Sequence, residues 1–236
     1  MDLPETATPA ILEIGTGNAM NKKICLVECI FFSLATALTG QKTSDADSDC
    51  FYLRDTVHLN ATYHPALLLL SCTSATMQDI DSFQNIADSL DTILAACHAS
   101  RNHQNILLND IAIMKTVEKL VTKYPVDASM IYLYGFSGQG VQAMMSLFKH
   151  PTTFKGIISV CGHSGAMSMA QWQALKDKHI YLISRLKDWN IEENKNMHHL
   201  FQLNGILDTL VITKGKHSPP TNKELLNACI WLMKIR

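Results

Sequence analysis

Residues 130–145 constrain this chain more than any other stretch. The apolar run Met130-Ile131-Tyr132-Leu133-Tyr134 stops at Gly135-Phe136-Ser137-Gly138, and Val141-Gln142-Ala143-Met144-Met145 follows at once. A continuous apolar run of this length reads as a strand covered on both faces. A strand that becomes a helix within a few residues needs a sharp turn. Gly135 and Gly138 suit that turn because strand and helix approach too closely there for side chains. Such a turn lifts the Ser137 hydroxyl clear of the sheet, and the helix N-terminus behind it directs backbone N–H groups toward the same point. The competing reading is a serine whose hydroxyl caps an ordinary helix; it leaves the flanking glycines without a role.

The rest of the chain alternates strands with helices. Residues 66–70 (Ala-Leu-Leu-Leu-Leu), 92–97 and 156–160 are further apolar runs of the buried-strand type, and residues 51–58 alternate apolar with polar as a half-exposed edge strand does. Leu107, Ile111, Met114, Val117, Val121 and Tyr124 recur at three- and four-residue steps and predict a helix with one apolar face. The last helix opens with Pro219-Pro220 and the capping box Thr221-x-x-Glu224, then buries Leu225, Cys229 and Leu232. This order predicts an α/β fold: a mostly parallel sheet with helices on both faces. Between Ser159 and Ile180 there is room for one short helix around residues 169–175 and not for a large cap, so the C-terminal edge of the sheet should be open.

Two further residues follow strand ends in a telling order. Asp188 comes after the run 180–184, and His217 lies in the loop Lys214-Gly215-Lys216-His217-Ser218 after the run 210–213. The Gly-x-Ser-Gly turn followed by an acid and then a histidine, each past the end of a strand, resembles the α/β-hydrolase superfamily over residues 51–235. The Gly-Phe-Ser-Gly-Gln-Gly stretch is most similar to small bacterial esterases and related peptidase-like hydrolases. The resemblance implies Ser137 as nucleophile, His217 as base and Asp188 as the acid that orients the imidazole. His163 is the runner-up base, and Glu192 and Glu193 rival Asp188, although they suit the first turn of the following helix better. Asp208 stands at the wrong end of its strand. Gly138 is the expected first oxyanion donor. The resemblance places the second in residues 71–74, at Thr73 or next to it at Ser74. This chain departs from the family by lacking His-Gly there and by carrying Gln139 where a glycine is usual. Asn102, in Arg101-Asn102-His103, together with His163 and Trp189, is a candidate for substrate contact; a plain turn and core packing are the alternatives. Trp172 is a candidate pocket wall or core residue.

Composition narrows the partners. The 236 residues suffice for one sizeable core, 47% hydrophobic and 17% charged residues fit a globular chain, and a formal charge of −1 gives no reason to expect nucleic acid. Lys115, Lys119 and Lys123 read as a solvated face. None of the seven cysteines forms Cys-x-x-Cys and no histidine cluster has metal spacing, so neither a metal nor another cofactor is expected. Buried free thiols are expected, with a Cys72–Cys97 bridge as the alternative. Residues 1–50 read as an N-terminal extension ahead of a hydrolase domain at 51–236. Within it, Met20-Asn21-Lys22-Lys23, the apolar residues 24–38 and the Ala35-Thr36-Ala37 ending resemble a secretory signal peptide, with synthesis starting at Met20. Glu28 interrupts the apolar part, and an N-terminal helix packed on the domain is the alternative. Residues 39–49 are polar and read as a linker. The expected protein is exported, otherwise cytoplasmic, without an integral membrane span in its mature form. Its expected substrate is a small ester, or else a short peptide, unless the fold serves binding alone.

Overall fold

The structure is a computed structural model, and it describes residues 40–54 and 63–234. The signal-peptide reading of residues 20–38, the start at Met20 and residues 55–58 of the alternating stretch lie outside the described residues. The strands are β1 (Gln41–Ser44), β2 (Cys50–Leu53), β3 (His64–Leu70), β4 (Ile93–Ala96), β5 (Val126–Phe136), β6 (Gly156–Val160), β7 (His179–Arg185) and β8 (Leu207–Thr213). The helices are α1 (Met77–Leu90), α2 (Ile106–Lys123), α3 (Gly138–Lys149), α4 (Ile191–Leu203) and α5 (Asn222–Lys234). One sheet runs in the order β1-β2-β4-β3-β5-β6-β7-β8. β1 and β2 pair antiparallel, as do β2 and β4; every other pairing is parallel. This is the α/β fold that the strand–helix alternation predicts.

The apolar runs divide between the two faces with period two. Ala66, Leu68 and Leu70 join Ile113, Val117, Met144, Phe148 and Phe201 on the face covered by α2, α3 and α4. Leu67 and Leu69 join Ile80, Phe83, Leu225 and Leu232 under α1 and α5. Burying a side chain such as Leu68 completely stabilises the fold by about 2 kcal/mol. The capping box of α5 forms as expected: Glu224 Oε2 accepts from the Thr221 N–H at 2.7 Å, and the Glu224 N–H donates to Thr221 Oγ1 at 3.3 Å.

Four expectations are corrected. The segment 39–49 is not simply a linker, because Gln41–Ser44 is the outermost strand, paired with β2. β2 is therefore not a half-exposed edge; all four of its residues are buried. α2 packs with only part of its expected apolar face: Val117 is buried and Met114 and Tyr124 lie against the core, but Val121 is exposed. Leu107 and Ile111 are each 53% exposed, while Asn109, Asp110, Ile113, Thr116, Val117 and Leu120 are buried. Its buried polar groups have specific partners: Asp110 accepts from Ser146 Oγ and Lys149 Nζ, and Thr116 Oγ1 donates to Asp49. A buried polar group that is hydrogen-bonded is tolerated, so these groups share the inward face with Ile113, Val117 and Leu120.

Lys119, expected on a solvated face, is instead the hub of the β1–β2 loop. Its ammonium lies 2.8, 2.7 and 2.9 Å from the carboxylates of Asp45, Asp47 and Asp49. Burial pushes the Lys119 pKa down, but the three carboxylates outweigh it and hold the ammonium protonated above the usual lysine range. Burial raises Asp45, and the Lys119 ammonium with the N–H groups of Asp49 and Asp47 outweighs that, leaving it lowered. The lysine's contribution is thus complete below its unfolded pKa near 10 and fades only above it, while that of Asp45 is complete above about pH 4 and fades as pH falls further. Lys119→Met leaves three carboxylates facing one another and should cost about 3 kcal/mol at neutral pH, measurable as a lowered urea midpoint. A midpoint within experimental error of the parent would contradict this account.

Candidate active site

β5 delivers Ser137 directly into α3. Ser137 has φ 54° and ψ −124°, a conformation that non-glycine residues seldom adopt and that costs on the order of 1–3 kcal/mol. The turn is held by the Ser137 N–H donating to Val160 O at 2.8 Å and the Gly140 N–H donating to Ser137 O at 2.9 Å. Its glycines are required for space. A Cβ on Gly135 would lie 2.1 Å from the backbone oxygen of Gln139, and one on Gly138 would lie 2.6 Å from Asn102 Oδ1. The Ser137 hydroxyl makes no capping bond to α3, which removes the reading of this serine as an ordinary cap.

The hydroxyl has another partner. His217 Nε2 lies 2.9 Å from Ser137 Oγ, and His217 Nδ1 lies 3.0 and 3.1 Å from the two carboxylate oxygens of Asp188. Residues 137, 188 and 217, read separately from the sequence, therefore form one hydrogen-bonded chain at the C-terminal edge of the sheet. The imidazole packs between Phe136, with ring centroids 5.1 Å apart, and Trp189, stacked at 6.0 Å. Trp189 is 68% exposed, so it walls the site from outside and is not core. Trp172 packs on Phe201, in the core.

Asp188 is buried, and both of its carboxylate oxygens face His217 Nδ1. Desolvation alone raises its pKa, but the Cys161 thiol, His217 and the Asn190 N–H together hold it below the usual carboxylate range. The acid therefore stays ionised at neutral pH and loses its charge only under strong acid. Cys161 is the contribution that sequence reasoning missed. It closes β6 at the same sheet edge with φ 49°, and its backbone carbonyl accepts from Asn190 Nδ2 at 2.7 Å. Burial and the nearby Asp188 carboxylate raise its thiol to about 12, so it stays protonated, and it donates to Ser218 O at 3.7 Å. Its sulfur, an Asp188 oxygen and a His217 nitrogen lie within 4.8 Å of one another, a spacing compatible with a metal. Both histidine nitrogens are already committed, to Asp188 and to Ser137, so a cation there would have to break the chain.

The remaining candidates separate cleanly. His163 accepts the Gly165 N–H on Nδ1 at 3.1 Å and stands 6.0 Å from the Trp189 ring, beside the site, and the position next to Ser137 belongs to His217. Glu192 pairs with Lys195, Glu193 holds Ser164, and Asp208 faces His198. Gly138 is the first residue of α3, where N–H groups lack intrahelical partners. Thr73 is exposed just past β3, while its alternative Ser74 is buried with φ 92°. Cys72, one residue earlier, donates its thiol to Phe136 O at 3.2 Å. Cys50, Cys72, Cys97, Cys161 and Cys229 are all free, so Cys72 and Cys97 form no bridge.

Gln139, the departure from glycine, has a structural use. It is 1% exposed, accepts from Ser100 Oγ at 2.7 Å and donates from Nε2 to Asn102 Oδ1 at 3.3 Å. It thus ties the elbow to the loop that carries Asn102. A cavity of about 380 Å³ opens between that loop and the first turn of α3, reaching Gly138 and His163. A larger one, about 640 Å³, lies at the opposite strand ends beside Tyr132, Lys155 and His179, away from Ser137.

No protein-family model matches the chain, and no curated protein matches its sequence. Solved structures do match in shape. An S-formylglutathione hydrolase from Staphylococcus aureus superposes with a TM-score of 0.64 at 9% identity, over 84% of this chain and 96% of that one. A ferulic acid esterase gives 0.64 at 10% identity, over 84% and 98%. An acylaminoacyl peptidase from Pyrococcus horikoshii gives 0.61 at 12% identity over 88% of this chain, but only 43% of its own length is covered. Among the described residues no helix is long and apolar enough to cross a membrane. With its single mixed sheet, its strained serine between β5 and α3, and these neighbours, the chain has the α/β-hydrolase fold.

Proposed function

We propose that this protein is a serine hydrolase that cleaves a carboxylic ester through an acyl-enzyme. The observation that carries the proposal is the unbroken chain from Ser137 Oγ through His217 to buried Asp188. A serine hydroxyl is a poor nucleophile until a base accepts its proton. As Ser137 Oγ bonds to the ester carbonyl carbon, its proton passes to His217 Nε2, and ionised Asp188 stabilises the resulting imidazolium. The carbonyl oxygen becomes negative and takes N–H donation from Gly138 and, by resemblance, Thr73. The tetrahedral adduct expels the alcohol, which leaves with the proton from His217. Water then repeats the two steps on the acyl-enzyme, releasing the acid and restoring Ser137. No cofactor is needed for this sequence.

An ester is favoured over a peptide because the peptidase neighbour is more than twice as long as the part this chain matches, whereas the esterase-type neighbours are matched almost end to end. A fluorophosphonate probe should label the protein stoichiometrically at Ser137, and a nitrophenyl ester should be cleaved faster than a peptide anilide of the same acyl group. Folded protein inert to the probe would point to a fold kept for binding alone.

A further inference from the structure

The cavity beside Gly138 is lined by polar side chains that include Arg101, Asn102, His103 and His163, and among the described residues no carboxylate lines it. Among the described residues the Arg101 guanidinium has no acidic partner. Asp47 and Asp49, which line a second cavity together with Arg101, are bound to Lys119. Glu193, the acid near His163, is bound to the N–H and hydroxyl of Ser164. His163 accepts on Nδ1 from Gly165, so in its neutral form the proton sits on Nε2 and is available to donate.

The loop carrying these donors is fixed before any ligand arrives. Asn109, 3% exposed, accepts from the Arg101 N–H at 3.1 Å and donates to Arg101 O at 2.9 Å. The Asn102 N–H donates to Cys72 O at 3.0 Å, and Asn102 Oδ1 is held by buried Gln139. His103 sits at φ 61°, a left-handed conformation unusual for a side-chain-bearing residue, and such strain persists where the surroundings over-determine it. A loop held in this way, with the Arg101 guanidinium lining a cavity that also reaches Gly138 and His163, suits a negatively charged group.

We propose that this cavity binds a carboxylate carried by the substrate, so that the natural ester is that of an acidic small molecule. This rests on the hydrolase reading above. At about 380 Å³ the cavity suits a small-molecule group of a few carbons. The charge belongs either to the acyl part or to the leaving alcohol, and two ester pairs separate the cases. The mono-4-nitrophenyl ester of glutaric acid is compared with 4-nitrophenyl pentanoate, and 3-carboxy-4-nitrophenyl acetate with 4-nitrophenyl acetate.

In one of the two pairs, kcat/KM for the anionic ester should exceed that for the neutral one at least ten-fold. Arg101→Gln should lower that ratio about ten-fold, mainly through KM, and added salt should erode it. Equal ratios in the parent and the variant overturn the subsite. Silence toward every ester sinks the hydrolase reading instead. Titration of the Ser137→Ala protein with glutarate then decides the subsite alone: binding that Arg101→Gln abolishes supports it, and no binding overturns it.

Discussion

Ser137→Ala is expected to lower kcat for ester hydrolysis by about 10⁴-fold or more while leaving the fold intact. The side chain makes no capping bond to α3, and the backbone bonds of the turn come from its N–H and carbonyl, which alanine keeps. Stability should therefore change little. What disappears is the atom 2.9 Å from His217 Nε2. Circular dichroism and thermal unfolding would verify the fold, and steady-state kinetics the loss; turnover within ten-fold of the parent would refute the role of this serine. The probe label at residue 137 should vanish with it.

Asp188→Asn is expected to cost about as much, roughly 10⁴-fold in kcat, for a reason specific to this site. The carboxylate accepts from His217 Nδ1, and the Asn190 N–H favours its charge as well. An asparagine has one oxygen, which turns toward the Asn190 N–H. Its NH₂ then faces His217 Nδ1, which must accept, so the ring proton moves to Nε2. Nε2 then donates to Ser137 Oγ instead of taking its proton. Hydrolysis rates together with the imidazole nitrogen shifts in a ¹⁵N spectrum check this: an Nδ1–H tautomer in the variant would contradict it.

The elbow was legible in the sequence because its constraints are local. Gly135, Ser137 and Gly138 lie within four residues, and the backbone that excludes a Cβ at Gly135 belongs to Gln139, four residues further on. Asp188 and His217 were legible for a related reason: a parallel sheet gathers its strand ends at one edge, so position after a strand predicts position in space. α2 was misread because periodicity counts apolar residues and not hydrogen bonds. Asn109, Asp110 and Thr116 look solvent-facing until Arg101, Ser146 and Asp49 are seen beside them. Residues 39–49 were misread because Asp45 and Asp49 are organised by Lys119, about seventy residues away.

The order of strands and helices, the two-faced apolar core and the three residues at the sheet edge are properties of spacing along the chain, and the sequence alone determined them. The tertiary structure alone decided which imidazole meets Ser137, which carboxylate meets that imidazole, and what Gln139 binds. Those choices rest on hydrogen bonds about 3 Å long between segments tens of residues apart, and directional contacts of that range leave no periodic trace in a sequence.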